Sequence, residues 1–155
     1  MAARGRRRRR LATIDKYEFP PDRWYDPREH LWLWPEAGPG EPVLRVGVDA
    51  LGQEALGEVV YVELVEPGRD VRRGDGVGSI EAEKMVRPLL APVSGALLEV
   101  NRDVLTNPRL LNRDPYGRGW LFRLQARAWR LERAALLHGD EAVAAWARAE
   151  LRASR

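Results

Sequence analysis

The chain of 155 residues contains no cysteine and only two histidines, His30 and His138. The lack of cysteine excludes disulfide bonds, thiolate catalysis and cysteine-ligated zinc, and two distant histidines leave little for a His-rich metal site. No apolar run approaches the roughly 18 residues that a membrane span needs. With 45% hydrophobic residues the chain is also too apolar to be wholly disordered. A globular domain without metal or thiol chemistry remains, and we expect it in the cytoplasm.

Lysine is almost missing as well, because only Lys16 and Lys84 are lysine among 26 basic residues. Lys16 lies beside the N-terminal tail, whereas Lys84 lies midway through the chain between two strand-like runs. Arginine can replace lysine as a solvated charge, but a lysine amine is also a target for acylation. Lys84 is therefore the first candidate for a functional side chain.

The charge is unevenly distributed along the chain. Six arginines lie within residues 1–10, and removing their six charges from the net +3 leaves −3 for the rest. A block of like charge repels itself, so we expect residues 1–15 to form a disordered tail, with a nucleic-acid arm and a targeting signal as alternatives. No aromatic and basic surface follows the block, and it lacks amphipathic spacing. We therefore expect neither a nucleic-acid nor a membrane partner.

Residues 16–125 show the pattern of a small β domain. The proline- and aromatic-rich residues 15–28 predict an extended segment that packs on a core. Asp49 is a candidate N-cap for a short helix through Leu56, with Gly57 as its C-terminal stop. Short β-branched or aliphatic runs between turn residues predict strands at His30–Trp34, Val43–Val48, Val59–Leu64, Gly76–Ile80, Leu89–Ala91, Ala96–Val100 and Trp120–Leu124. The expected fold is a mainly β barrel or sandwich with short helices.

Residues 126–155 are rich in alanine, leucine and arginine and predict a C-terminal helical extension. We expect two short helices interrupted at Gly139, with Asp140 as the N-cap of the second. We expect their apolar faces to dock on the same domain rather than on a partner. The residues at helical spacing are Leu131, Ala134, Ala135 and Leu137, then Val143, Trp146, Ala147 and Leu151.

Lys84 falls near the tip of a predicted hairpin. It is flanked by Glu81, Glu83 and Met85, and the run Ala91-Pro92-Val93-Ser94-Gly95 follows it. From spacing alone, an ordinary exposed charge and an acylation site are equally compatible with this position. The two motifs together resemble the acylation hairpin of biotinyl and lipoyl carrier domains, in which the lysine is the attached residue.

The similarity extends beyond the hairpin. The segment from Gln53 to Leu64 and the segment from Asn112 to Leu121 are similar to the H protein family of the glycine cleavage system. This resemblance covers roughly residues 25 to 125. It implies a barrel-sandwich hybrid of the lipoyl/biotinyl hammerhead type, with flanking helices, that carries lipoate in amide linkage on Lys84. Biotin fits less well, because Glu83 stands where biotin acceptors usually have methionine.

The resemblance also implies a function. An H protein is a non-catalytic, monomeric carrier whose arm takes an aminomethyl group from a pyridoxal-phosphate glycine decarboxylase to a folate-dependent aminomethyltransferase, and dihydrolipoyl dehydrogenase reoxidises it. A lipoate ligase or lipoyl transferase attaches the arm. Glu81, Glu83, Met85 and His30 are candidate contacts of the arm or of the ligase, and each is also an ordinary surface or packing position.

Two acids of the family pattern are missing. The family has His-Glu-Trp where this chain has His30-Leu31-Trp32, and an aspartate four residues after the lysine where this chain has Pro88. In the family these carboxylates border the cleft that shelters the loaded arm. Glu29 and Glu83 are possible replacements.

The missing acids leave three interpretations open. The chain is a glycine-cleavage H protein, or a divergent H-like lipoate carrier of another complex such as a sulfur-oxidising heterodisulfide-reductase-like system, or a β adaptor domain that is not acylated. No nucleophile–base pair or phosphate loop supports an enzyme.

Overall fold

The computed structural model describes residues 12–154, and the Arg-rich block expected to be disordered lies outside these residues. Within residues 12–154 the chain forms eleven strands and five α-helices. The strands are β1 (Ala12–Ile14), β2 (Tyr17–Phe19), β3 (Trp24–Asp26), β4 (Leu31–Pro35), β5 (Val43–Val48), β6 (Val59–Leu64), β7 (Asp70–Val71), β8 (Gly76–Ala82), β9 (Val86–Leu90), β10 (Gly95–Val100) and β11 (Phe122–Ala126). The helices are α1 (Ala50–Leu56), α2 (Arg102–Thr106), α3 (Leu110–Arg113), α4 (Trp129–Glu132) and α5 (Asp140–Ala153), with a 3₁₀ turn at Arg133–Ala135.

Two sheets enclose the main core. The larger sheet has the order β3-β4-β5-β11-β10-β7, and the smaller has the order β6-β8-β9. Val62, Ile80 and Leu89 point inward from the smaller sheet into the same apolar cluster as Leu44 and Leu124 of the larger one. The sheets therefore pack face to face as a sandwich, and the expected mainly β fold with a C-terminal helix is confirmed.

The predicted strands and caps largely match the structure. The bounds of β5 and β6 are as expected, and the Asp49 side chain accepts the Gly52 N–H at 2.8 Å as the N-cap of α1. Gly57 ends that helix with φ of +75°, a backbone conformation that favours glycine. Runs of β-branched and aliphatic residues and local capping are encoded within a few residues, which is why these elements follow from the sequence.

The N-terminal expectation needs a correction. Ala12–Ile14 lies inside the range expected to be a disordered tail, but it pairs antiparallel with Tyr17–Phe19. Ile14 and Phe19 are buried in a second apolar cluster. A short two-stranded hairpin is marginally stable alone, so this side-chain packing is what stabilises it.

We predicted that a strand begins at His30, but His30 is the last residue of the turn between β3 and β4. Its φ of +55° is in the left-handed region, and its N–H donates to the Asp26 carbonyl at 2.9 Å. The Asp26 carboxylate accepts the N–H groups of Arg28 and Glu29, which tightens the turn. Side chain–backbone hydrogen bonding in the turn thus keeps His30 out of the strand, which begins at Leu31.

The C-terminal extension docks on its own domain, as expected. Val143 and Ala147 of α5 are buried against Phe19, Tyr25 and Trp32. The first predicted helix is shorter than expected, and Leu131 is 78% exposed instead of facing the core. Asp140 does not cap α5, because it is already the first helical residue and Gly139 with φ of +96° precedes it. No helix within residues 12–154 is both long and apolar enough to cross a membrane.

Gly95 allows β10 and β11 to approach closely. A Cβ at this position would overlap the carbonyl oxygen of Gln125, which is backbone and cannot swing away. We predict that Gly95→Ala lowers the free energy of unfolding by about 3 kcal/mol, as overpacking of a tight contact does. Chemical denaturation measures this change. Gly76→Ala is the control, since a Cβ there meets nothing within 4 Å and should cost no more than about 0.5 kcal/mol. Equal stability of the two variants would contradict the account.

Candidate functional site

Lys84 lies in the turn that joins β8 to β9. The Ala82 N–H donates to the Met85 carbonyl at 2.9 Å, which closes the turn, and Glu83, Lys84 and Met85 are all exposed. We call residues 83–85 the tip. The predicted hairpin around Lys84 is thus present.

The tip is held by backbone hydrogen bonds to the end of α1. The Glu83 N–H donates to the Glu58 carbonyl at 2.9 Å, and the Lys84 N–H donates to the Leu56 carbonyl at 3.2 Å. The Glu83 carboxylate accepts the Glu58 N–H at 3.0 Å. The last carbonyls of a helix have no partner within it, so the tip satisfies groups that would otherwise be left to water.

The same end of α1 is fastened from the other side by Asn112. Its Nδ2 donates to the Gly57 carbonyl and its Oδ1 accepts the Val59 N–H, both at 2.8 Å. Four residues further on, the Tyr116 hydroxyl accepts the Ala50 N–H at 2.9 Å at the start of the helix. One short segment therefore anchors both ends of α1 and, through it, the tip.

The Lys84 amine itself is weakly held. Nζ donates to the Glu54 carbonyl at 3.2 Å, and no carboxylate within the part of the chain described here lies within ion-pair distance of it. The side chain is exposed. The backbone of Lys84 is fixed while its amine is accessible, which is what an acylation site requires.

His30 lies between two carboxylates near the other end of α1. Nδ1 is 3.6 Å from Oδ1 of Asp49, and Nε2 is 3.4 Å from Oε1 of Glu150 on α5. The imidazole ring also lies 5.2 Å from the Trp146 ring. At these distances the contacts are ion pairs rather than short hydrogen bonds.

The surroundings favour a protonated His30. Burial by itself lowers the pKa of His30, but the carboxylates of Asp49 and Glu150 outweigh it against the opposing charge of Arg87, so the net pKa is raised. Asp49 is fully buried, and its Oδ2 has no hydrogen-bond partner among residues 12–154. A buried carboxylate in this state is costly unless a cation is close, and His30 provides one.

His30 and Lys84 are brought together by α1. A Cβ at Gly52 would touch the His30 side chain at 2.9 Å, whereas the Lys84 N–H binds the Leu56 carbonyl. Gly52 and Leu56 are four residues apart, so these two contacts are about 6 Å apart along the helix axis.

The chain is similar in sequence to proteins of one known family. The family model described as "Glycine cleavage H-protein" matches residues 24–148. The chain is 46% identical over 110 residues to the glycine cleavage system H protein of Thermus thermophilus, covering 71% of this chain and 82% of that protein. The H protein of Mycolicibacterium smegmatis is 42% identical over 117 residues, covering 76% and 86%.

The chain belongs to the glycine cleavage H-protein family. A solved structure agrees with this assignment, namely the crystal structure of the H protein from Mycobacterium marinum. It has a TM-score of 0.64 and 39% sequence identity, and the match covers 71% of this chain and 87% of that one.

The residues predicted to contact the arm or the ligase differ in their surroundings. The Glu83 carboxylate accepts a hydrogen bond from the Glu58 N–H and so fastens the tip. Glu81 points outward from β8, and its carboxylate has no hydrogen bond or ion pair within the described part of the chain. Met85 is 42% exposed beside Lys84. Their roles, and the role of Lys84, stay predictions.

The sequence did not predict Glu150, Trp146 or Asn112 as residues of the site. Glu150 and His30 are far apart in the chain, and only the docking of α5 brings them together. Leu31, at the first missing acid of the H-protein pattern, is completely buried. Pro88, at the second, is exposed on β9 opposite Ser79. The carboxylates around His30 are therefore Asp49 and Glu150, not either family position.

The hydrogen bond of Glu83 can be tested separately. We predict that Glu83→Ala raises the hydrogen-exchange rate of the Glu58 amide about fivefold, which corresponds to one net hydrogen bond of about 1 kcal/mol. Exchange measured residue by residue by NMR checks this. Glu81→Ala on the same hairpin is the control and should leave the Glu58 amide unchanged. Equal exchange in both variants would contradict a fastening role for Glu83.

The ion pairs of His30 predict a pH dependence of stability. A raised pKa in the folded state stabilises the fold below the ordinary histidine pKa of about 6.5, and this contribution is lost as the pH rises through the folded value. Glu150→Gln removes one cause of the raised pKa. We therefore expect wild type to exceed this variant in the free energy of unfolding at pH 6, and the difference to shrink as the pH increases.

Denaturation curves between pH 6 and pH 9 measure that difference. Glu141→Gln is the control on the same helix, because Glu141 lies in the first turn, where it interacts with the helix dipole and not with His30. Its effect should not change over this pH range. A Glu150→Gln difference that is equally flat would exclude the ion pair.

Proposed function

We propose that this protein is the lipoyl-carrying H protein of a glycine cleavage system, with lipoate in amide linkage to Lys84. The observation that carries the proposal is the position of Lys84, whose backbone is fixed on α1 while its amine is exposed, in a chain of the H-protein family. The alternative pathway, a sulfur-oxidising complex, receives no support from the relatives cited above, which are named as glycine cleavage H proteins.

The residues at the site fit a covalently attached arm. Acylation needs an accessible primary amine, and the single 3.2 Å contact of Nζ with the Glu54 carbonyl is easily given up. When attached, lipoate supplies a dithiolane that accepts and hands on the aminomethyl group. The task of the chain is then to hold the point of attachment and to present it to successive partners.

A rigid tip makes such presentation efficient. Tethering turns each encounter of the arm with a docked enzyme into an intramolecular event at a high effective concentration. The backbone hydrogen bonds of Glu83 and Lys84 limit the motion of the attachment point, so the search is left to the flexible arm alone.

We also propose that the chain is a carrier without a catalytic centre of its own. His30 faces Asp49, Glu150 and Trp146, and His138 stacks on Trp24 with Nδ1 3.0 Å from the Arg23 carbonyl. Neither histidine is hydrogen-bonded to a serine or threonine hydroxyl within residues 12–154. The acylating enzyme, the three partner enzymes and the monomeric state remain expectations of the family resemblance, and the cytoplasmic location remains an expectation from composition.

The test is substitution of each lysine in turn. We expect wild type and Lys16→Arg, coexpressed with a lipoate ligase, to gain one lipoyl group by intact mass and to support glycine–bicarbonate exchange with a purified glycine decarboxylase. Lys84→Arg should remain folded, because charge is retained, but should gain no lipoyl group and support only background exchange.

Two results would overturn the proposal. One is modification or undiminished exchange in Lys84→Arg. The other is an unmodified Lys84 in wild type when another lipoyl protein in the same cells is modified, which would favour the adaptor interpretation.

A further inference from the structure

The outward face of the three-stranded sheet presents an apolar row next to Lys84. Tyr61 pairs with Glu81, and Glu81 pairs with Val86, so these three side chains lie side by side on one face. Tyr61 is 52% exposed and Val86 is 67% exposed. The opposite face, with Val62, Ile80 and Leu89, is buried in the core. We call the outward set of Val60, Tyr61, Glu63, Glu81 and Val86 the tip face.

A β-bulge enlarges this apolar row. The register of β6 against β8 shifts between Val59 and Tyr61. Strict alternation would place Val60 and Tyr61 on opposite faces, but both are exposed, each to 52%. A bulge interrupts the ladder and turns a side chain outward, and here it turns out an apolar one. Clustered apolar exposure of this kind marks interaction surfaces more often than isolated exposed residues do.

The charges of the tip face are of one sign. Glu63 and Glu81 are exposed, and neither carboxylate has a hydrogen bond or ion pair among residues 12–154. By contrast, Glu58 at the edge of the face is paired with Arg109 at 2.6 Å. A complementary partner would present apolar side chains with arginine or lysine around them.

We propose that the tip face is the docking surface for the enzyme that acylates Lys84, and that this enzyme meets it with an apolar patch bordered by basic side chains. The inference rests on the proposed function. The acylating enzyme must bring an activated acyl carbon to Nζ itself, so its contacts are confined to the surface around the tip. Enzymes that act at the far end of the arm are not confined in this way.

The reaction served by this docking is an acyl transfer without oxidation or reduction. The lone pair of Nζ attacks the acyl carbon of an acyl adenylate, and a C–N amide bond forms. The bond from that carbon to the AMP oxygen breaks, AMP leaves, and a proton passes from Nζ to a base or to water. Tyr61 and Val86 take no part in the chemistry, and their effect is on binding.

The experiment uses the apo protein with a purified lipoate ligase, lipoate and ATP, and follows acylation by intact mass. We expect Tyr61→Ser combined with Val86→Ser to lower kcat/KM about tenfold, mainly through KM, as the loss of central apolar anchors does. Glu63→Lys should lower kcat/KM as well, because it places a like charge opposite a basic partner.

Two controls separate docking from other causes. Leu98→Ser removes an apolar side chain of similar exposure, 45%, from β10 of the other sheet and should behave as wild type. Acylation by a small N-hydroxysuccinimide ester needs no docking, so its rate at Lys84 should be the same in all variants. Circular dichroism and denaturation confirm that the variants are folded.

The outcomes separate a wrong docking surface from a wrong function. If wild type is acylated on Lys84 and the tip-face variants match Leu98→Ser, the docking surface is wrong and the proposed function stands. If the small ester is also slowed, the substitutions act on the amine and the docking surface is again wrong. If wild type is not acylated at all, the proposed function fails with it.

Discussion

The hydrogen bonding at the C-terminal end of α1 is the constraint on which the site depends. A helix end leaves carbonyls without partners, and here the Leu56 and Glu54 carbonyls bind the backbone and side chain of Lys84. The loop that follows is shared between Glu83 on one side and Asn112 on the other. Without these contacts, Lys84 would lie on a free β-turn, and its position relative to His30 and to the smaller sheet would not be defined.

The helix α1 thus supports two neighbouring features, the exposed amine of Lys84 and the ion pairs of His30. At one end, an exposed amine is tied to a carbonyl by a single contact. One turn away, an ion-pair group of Asp49, His30 and Glu150, of which only Asp49 is fully buried, joins the helix to α5. The first must be available to other proteins, whereas the second holds two elements together, because the buried Asp49 carboxylate lies beside the His30 imidazole. Placing both on one short, well-fastened helix gives the carrier a mobile side chain on an immobile base.

Much of the fold follows from local patterns. Runs of β-branched and aliphatic residues between turn residues predict β5 and β6 to the residue, and Asp49 and Gly57 mark the limits of α1. The predictions that were wrong concern elements in which a tertiary or side-chain contact competes with the local sequence pattern. The left-handed turn at His30 depends on Asp26, the hairpin of Ala12–Ile14 depends on the second apolar cluster, and the shortened α4 leaves Leu131 exposed.

The sequence by itself determined the mainly β architecture, the capped helix α1, the C-terminal helix and the location of Lys84 at a hairpin tip. These depend on side-chain period and capping over a few neighbouring residues. Only the tertiary structure decided that Glu83 fastens the tip, that Glu150 reaches His30 and that Tyr61, Glu81 and Val86 share one face. Each of these contacts joins segments distant in the chain, and their meeting is set by sheet register and helix docking, which no local pattern encodes.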